Sequence, residues 1–233
     1  MSIELRKIAG AALVAGGIFD LVTGVLHPQG ARGNGSYRAT IAAFLADPKW
    51  PAAAWTGIAA FALLAWGIWL LVDTGVTRGP VIAHCGARLA QVGAAIMIIQ
   101  QAVDIAARPE AAAYAAGGAA PLVWLTAPLQ TIGWLAFGTG FAALALGLRS
   151  VAPRLVGILG ASGGLAMAAA GVLTEGFRLV AAGPLFILGA LTALWLVWAG
   201  VSLVRAHPAG PPGPVPSQTI ASPVSAASPS AAP

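Results

Sequence analysis

The chain reads as an all-α integral membrane bundle of six transmembrane helices, with both termini on the cytoplasmic side and a disordered C-terminal tail. Three observations predict this. Six long apolar runs recur along the chain, each near the roughly 20 residues that a helix needs to cross the hydrocarbon core. Charged residues make up 8% of the chain, against about 25% in an average soluble domain. Hydrophobic residues make up 58%, and mean hydropathy is +0.85. A soluble fold could not hide that much apolar surface, whereas lipid accepts it.

The expected spans are 8–26, 52–73, 87–107, 121–148, 154–174 and 182–204, together one transmembrane domain over 1–205. The fourth is long enough to tilt or to extend past the bilayer. Orientation follows from Lys and Arg in the short loops. One face carries Arg6, Lys7, Arg78, Arg88, Arg149, Arg154 and Arg205, the other Arg32, Arg38, Lys49, Arg108 and Arg178. This bias favours both termini in the cytoplasm, and the expected location is the inner (cytoplasmic) membrane. The sequence pI of about 10.4 reflects these flanking cations and a shortage of acids. No basic stripe or aromatic-basic module is present, so nucleic acid is not an expected partner.

Arg6 and Lys7 before an apolar run also fit a signal peptide. Asp20 inside that run, with no clear cleavage site after it, favours its retention as the first span. The single cysteine, Cys85, leaves no internal disulfide and no Cys-based metal cluster, and reads as a small apolar filler near the cytoplasmic boundary. The loop 27–51 opens with His27 and Pro28 and passes Gly30, Gly33 and Gly35. Its stretch from Tyr37 to Ala46 has helical spacing, with Tyr37, Ile41, Phe44 and Leu45 on one face and Asp47-Pro48 as its end. A short amphipathic helix capping the bundle or lying on the membrane is expected there. Residues 206–233 are rich in Pro, Ala and Ser, too poor in large apolar side chains to bury a core.

Glycines recur every seven residues at Gly10, Gly17 and Gly24, and again at Gly157, Gly164 and Gly171. The surrounding residues match at the same offsets: Lys7 and Arg154, Gly16 and Gly163, Val25-Leu26 and Val172-Leu173. The structural reading is a stripe that lets a neighbouring backbone approach closely. The alternative is a parallel duplication of a helical unit. Inverted repeats with broken helices, which mark many transporters, are not evident.

Functional expectation rests on a polar layer. Counting inward at 1.5 Å per residue, Asp20 lies roughly 9 Å from the outer surface, Gln100 roughly 10 Å, Asp104 roughly 4–5 Å and Gln130 roughly 13 Å. Glu175 falls at the outer boundary, where it would reach water. Gln100, Gln101 and Asp104 are three and four apart and share one side of a helix. Thr56, Thr126, Gln130, Thr131 and Trp134 add to the same half, while the inner half offers Gln91 and a few Ser and Thr. Carboxylates within a membrane are costly and suggest a site. The structural alternative is glue, side chains bonding from helix to helix. The candidate ligand-binding set is Gln100, Gln101, Gln130, Trp134, Thr56 and Glu175. Asp20 or Asp104, as a carboxylic acid, could give a proton to a bound alkene or carbonyl if the protein is an enzyme. No Lys or Arg lies deep inside any span, Arg88 and Arg154 standing at the cytoplasmic ends of theirs, and an Asp104–Arg108 pair is the nearest available to an ionised acid.

Several familiar centres are set aside. His27 and His84 lie at opposite membrane surfaces and cannot share one haem iron, and His207 lies in the tail. No zinc ligand cluster, phosphate loop or nucleophile elbow appears, so neither a metal nor a cofactor is expected. Of the eight tryptophans, Trp50, Trp55 and Trp124 fit an outer aromatic belt and Trp66, Trp69, Trp195 and Trp198 an inner one. Trp134, near mid-membrane beside Gln130, reads as a packing residue or as a cavity wall able to stabilise a cation.

Arg6, Lys7 and Gly10 at the start of the first span, and the link from Leu148 through Pro153-Arg154 to Gly157, resemble a family of uncharacterised bacterial membrane proteins, the DUF4386-like group. His27-Pro28 and Asp47-Pro48-Lys49-Trp50 are similar to related actinobacterial proteins. The likeness covers spans one to five loosely. It implies a helical bundle, and no catalytic residue is carried over. Three readings follow from the residues. The first is a non-catalytic bundle that binds a hydrophobic or small, lipid-like ligand, with membrane lipids and an oligomeric or complex partner available to it. The second is a membrane enzyme akin to terpene cyclases, protonating a prenylated molecule. The third is a transporter.

Overall fold

The structure, a computed structural model, describes residues 3–28, 36–77, 81–148 and 152–205. The tail, the glycines at 30, 33 and 35, and the cations Arg32, Arg78 and Arg149 lie outside the described residues, as does His207. Among those described there is no strand. The helices are α1 (Ile3–Leu26), α2 (Tyr37–Ala46), α3 (Trp50–Asp73), α4 (Val81–Ala107), α5 (Ala111–Ala115), α6 (Pro121–Gly147), α7 (Arg154–Gly171) and α8 (Ala190–Arg205). Six helical stretches are long and apolar enough to cross a membrane, the fifth and sixth being Arg154–Gly176 and Val180–Arg205. The chain is a polytopic membrane protein.

Consecutive spans run antiparallel and touch in order: α1 on α3, α3 on α4, α4 on α6, α6 on α7, α7 on α8. Then α8 returns to α1, and the six close into a ring. Lipid offers no hydrophobic drive between helices, so close backbone approach has to supply the attraction. Glycines supply that approach. A Cβ placed on Gly10 would lie 2.5 Å from the Gly200 carbonyl oxygen, and the reverse holds for Gly200. One on Gly93 would overlap the Phe137 backbone, and one on Gly138 the Gly164 carbonyl. The stripe of seven recurs in α6 at Gly133, Gly140 and Gly147, which seat α4.

The two stripes read from the sequence have matching roles. Gly16 in α1 and Gly163 in α7 each face the following span, at Leu64 and Thr192. Gly10 and Gly17 face the span that precedes α1 around the ring, at Gly200 and Ala193, as Gly157 and Gly164 face α6 at Ala145 and Gly138. The equivalence ends at Gly24. A Cβ there would meet nothing among the described residues within 4 Å, whereas one on Gly171 would collide with Trp134.

Two apolar clusters hold the bundle. The larger fills the ring with Leu13, Phe61, Leu64, Ile68, Met97, Phe137, Phe141, Leu144, Trp195 and Leu196. The smaller lies under the outer cap, where Leu45, Trp50, Ala53, Ala107, Tyr114 and Val123 are buried together. The expected amphipathic helix is α2. Ser36 caps it by accepting from the Ala39 N–H at 3.3 Å, and Asp47 ends it. Glu110 caps α6 from a distance, its Oε2 accepting from the N–H groups of Leu122 and Val123 at 2.9 and 3.2 Å. Those donors have no partner inside the helix, and the carboxylate also suits its positive end.

Four expectations are corrected here. Trp50 is 2% exposed and packs on Phe44 and His27 rather than anchoring at the interface. Trp195 is equally buried, against Phe141; Trp55, Trp66, Trp69, Trp124 and Trp198 are exposed on the outside of the ring as a belt requires. Cys85 faces outward and fills no gap. The last two spans are not regular α-helices throughout. Val172–Gly176 forms a π turn and Val180–Gly189 a ten-residue 3₁₀ run with Pro184 inside it. Runs of 3₁₀ longer than three or four residues are uncommon, and π turns recur at functional sites.

Candidate functional site

The non-α backbone and the sequence-read polar residues fall in the same half of the bundle. On α4, Gln100 Nε2 donates to Asp104 Oδ2 at 2.5 Å. Gln100, Gln101 and Asp104 are all buried, at 1, 7 and 4% exposure. Gln101 lies against Gly57 of α3, where a Cβ would sit 3.4 Å from its amide carbon. Close by, the Thr23 hydroxyl of α1 bonds the Thr56 hydroxyl of α3 at 3.1 Å. Asp20 stands one turn deeper than Thr23. It follows Gly16, which meets Leu64 of α3, and Gly17, which meets α8, so helical periodicity turns Asp20 inward between those two neighbours. It is half-exposed and makes no hydrogen bond with the described residues.

Glu175 departs from the sequence reading. It does not reach water. It is buried within the π turn, and its Oε2 accepts a 2.5 Å bond from the Tyr37 hydroxyl of α2. Burial, and then the facing Glu175 carboxylate, push the Tyr37 phenol above its usual range. Glu175 also lies within electrostatic reach of Asp104. The Asp104–Arg108 pair does not form, because Arg108 Nε instead donates to the Leu45 carbonyl of the cap at 3.0 Å. Among the described residues neither Asp104 nor Glu175 pairs with a Lys or Arg. Arg178, the one non-glycine residue with a positive φ (57°) among the described residues, lays its guanidinium over the rings of Tyr37 and Trp124 at 5.8 and 5.4 Å.

Below this layer the ring is filled by aromatic side chains. Trp134 contacts Phe61 at 5.7 Å between centroids, Phe61 contacts Phe137 at 5.3 Å, and Phe137, Phe141 and Trp195 continue towards the other end. Phe186 of the 3₁₀ run packs on Trp134 at 5.4 Å. Gln130 is half-buried one turn above Trp134 and has no bond to the described residues. Three buried atoms of this region have no hydrogen-bond partner among the described residues: Gln100 Oε1, Gln101 Oε1 and Trp134 Nε1. An orphaned polar atom in an apolar interior is costly.

The ring is closed in one half and open in the other. α1 packs on α8 at Gly10 and Gly17, but it makes almost no contact with Val180–Gly189, the start of the same span. Gly24 and Gly183 both have nothing among the described residues within reach of an added Cβ. Among the described residues the outer half of α1 therefore stands apart from the 3₁₀ run, leaving a lateral slot that Asp20 borders. Two shallow pockets lie elsewhere, one between the ends of α6 and α7 around Arg154, the other among alanines of α2 and α5. Neither is lined by Asp20, Asp104 or Trp134. Among the described residues no group of three or more His, Cys, Asp and Glu could hold a metal.

Sequence reasoning missed Tyr37 as a partner of Glu175, Thr23 as a partner of Thr56, and the rings of Phe61, Phe137 and Phe186. The hydroxyl of Tyr37, on the inward face expected for α2, was the signal available. Fold and site together define a six-span helical membrane protein with a buried polar layer in one half. The chain matches no family model, no curated protein and no solved structure.

Proposed function

We propose that the polar layer binds a small amphiphilic molecule that enters sideways from the lipid through the slot beside α1. One observation carries this reading. Gln100 and Gln101 bury carbonyl oxygens that no protein group satisfies. Pairing within the protein accounts for Gln100 Nε2, which Asp104 of the same helix accepts, and for the two threonines, which join α1 to α3. It does not account for the orphans, which would gain a partner from a ligand. Asp20 at the slot and Trp134 beneath the layer are the flanking groups.

The test is native mass spectrometry with lipid analysis on detergent-purified protein, comparing wild type with Asp20→Asn and Gln101→Leu. Wild type is expected to retain a specific molecule that both variants lose while staying folded. Wild type without any retained molecule, together with a Gln101→Leu protein that gains thermal stability, would make the layer a packing feature only.

A second reading draws on the aromatic rings beside Trp134, which suit a carbocation. In it, Asp20 or Asp104 protonates a prenylated substrate that Trp134 and Phe61 then shield. Its test is product formation from such a substrate, with loss in Asp20→Asn or Asp104→Asn.

A further inference from the structure

Resting on the binding reading above, we infer that the group held in the layer is an organic ammonium ion, carried head first into the bundle on an apolar body. The unsatisfied atoms set the chemistry. Gln100 spends its amide N–H on Asp104, which turns its carbonyl oxygen to the ligand side. Gln101 Oε1 is also without a donor. Asp104 and Glu175 stand within electrostatic reach of each other, without a Lys or Arg partner among the described residues. Arg178, the nearest cation to Glu175, is spread over two rings of the cap. The unpaired atoms of the two glutamines are acceptors, while the unpaired donor of the region, Trp134 Nε1, lies beneath them, so a ligand group seated at Gln100 and Gln101 must bring N–H or O–H groups.

Charge separates the two. A hydroxyl satisfies carbonyl oxygens but brings no positive charge to favour the ionised form of the Asp104 and Glu175 carboxyl groups in a low-dielectric interior. An ammonium group satisfies the carbonyls and offsets the carboxylates at once. The wall beneath consists of Trp134, Phe61 and Phe186 rings, and aromatic rings attract organic cations. A metal ion is the poorer fit, because the described residues hold no group of three ligating side chains. The slot beside Asp20 opens to lipid, so the rest of the ligand is apolar, either the body of an aminolipid or that of a free long-chain amine.

The experiment uses the full chain in phosphatidylglycerol nanodiscs and three probes with one chain length: dodecylamine, dodecanol and dodecanoate. Binding is read by native mass spectrometry and by thermal shift. The amine is expected to bind at least about tenfold more tightly than the alcohol, a difference of about 1.4 kcal/mol, and the carboxylate not at all. Glu175→Gln and Asp104→Asn are expected to remove that preference. Equal binding of amine and alcohol would overturn the ammonium inference and leave the binding site standing. Failure of all three probes, with wild type again empty, would remove the site itself. In discs that also contain phosphatidylethanolamine, retention of that lipid in place of dodecylamine identifies a headgroup as the source, and displacement of it by dodecylamine identifies a free amine.

Discussion

Tyr37 and Glu175 show how one side chain on a cap helix can decide the fate of a carboxylate. The phenol donates at 2.5 Å to a glutamate 138 residues away in sequence, and its own ionisation is held off by burial and by that carboxylate. The sign of the pH dependence follows. A phenol whose folded-state pKa is raised prefers to stay protonated in the folded protein. Its contribution is intact below the ordinary phenol value of about 10 and falls as pH rises above it, because the unfolded chain ionises first. Tyrosinate absorbance should therefore show no ionisation of Tyr37 just above that pH until the fold opens, and Tyr37→Phe should leave the folded-state titration curve unchanged. The same substitution deprives Glu175 of its donor and should cost about 1–2 kcal/mol, read as a lower Tm in detergent at neutral pH. A wild-type phenol that titrates normally in the folded protein would contradict this account. Glu175 could not be placed from sequence because residue counting locates a side chain only along its own helix. What buried it was α2 folding over the end of the ring.

The helices themselves were largely legible. Length and hydropathy gave all six spans, and the spacing of Tyr37, Ile41, Phe44 and Leu45 gave α2 with the bounds observed. Repeating glycines marked the contact faces of α1 and α7, since little besides close packing requires a bare backbone every second turn. The stripe of α6 went unread because Leu, Phe and Trp surround it. The π turn and the 3₁₀ run were not legible either, because apolar composition is the same whichever hydrogen-bond pattern the backbone adopts. That difference has a measurable consequence at Gly24 and Gly171, which occupy matching places in the two stripes. Gly24→Leu meets open space and should alter stability by no more than about 0.5 kcal/mol. Gly171→Leu collides with Trp134 and should cost about 3 kcal/mol or more, or prevent folding. Thermal denaturation of the two variants side by side checks the contrast. Equal losses would mean that the slot beside α1 is closed in the membrane.

Across the whole molecule, an even number of antiparallel spans places the start of α1 and the end of α8 on one side, and the contact of Gly10 with Gly200 fixes that pairing independently of any charge rule. Which side that is follows from the loop cations, seven on the face of the termini and five on the other, a small margin that short loops nonetheless make effective. The polar layer, the slot and the cap of α2 all belong to the opposite side, so orientation decides whether the ligand is drawn from the outer or the inner leaflet. Cysteine labelling resolves it. In a Cys85→Ser background, Lys7→Cys and Arg205→Cys should react with a membrane-impermeant maleimide only after permeabilisation, while Lys49→Cys should react in intact cells. The reversed pattern would turn the bundle over, place the slot in the cytoplasmic leaflet and make cytoplasmic-leaflet amphiphiles the molecules to test. A mixed pattern at Lys7 and Arg205 would break the even count of spans and with it the closed ring.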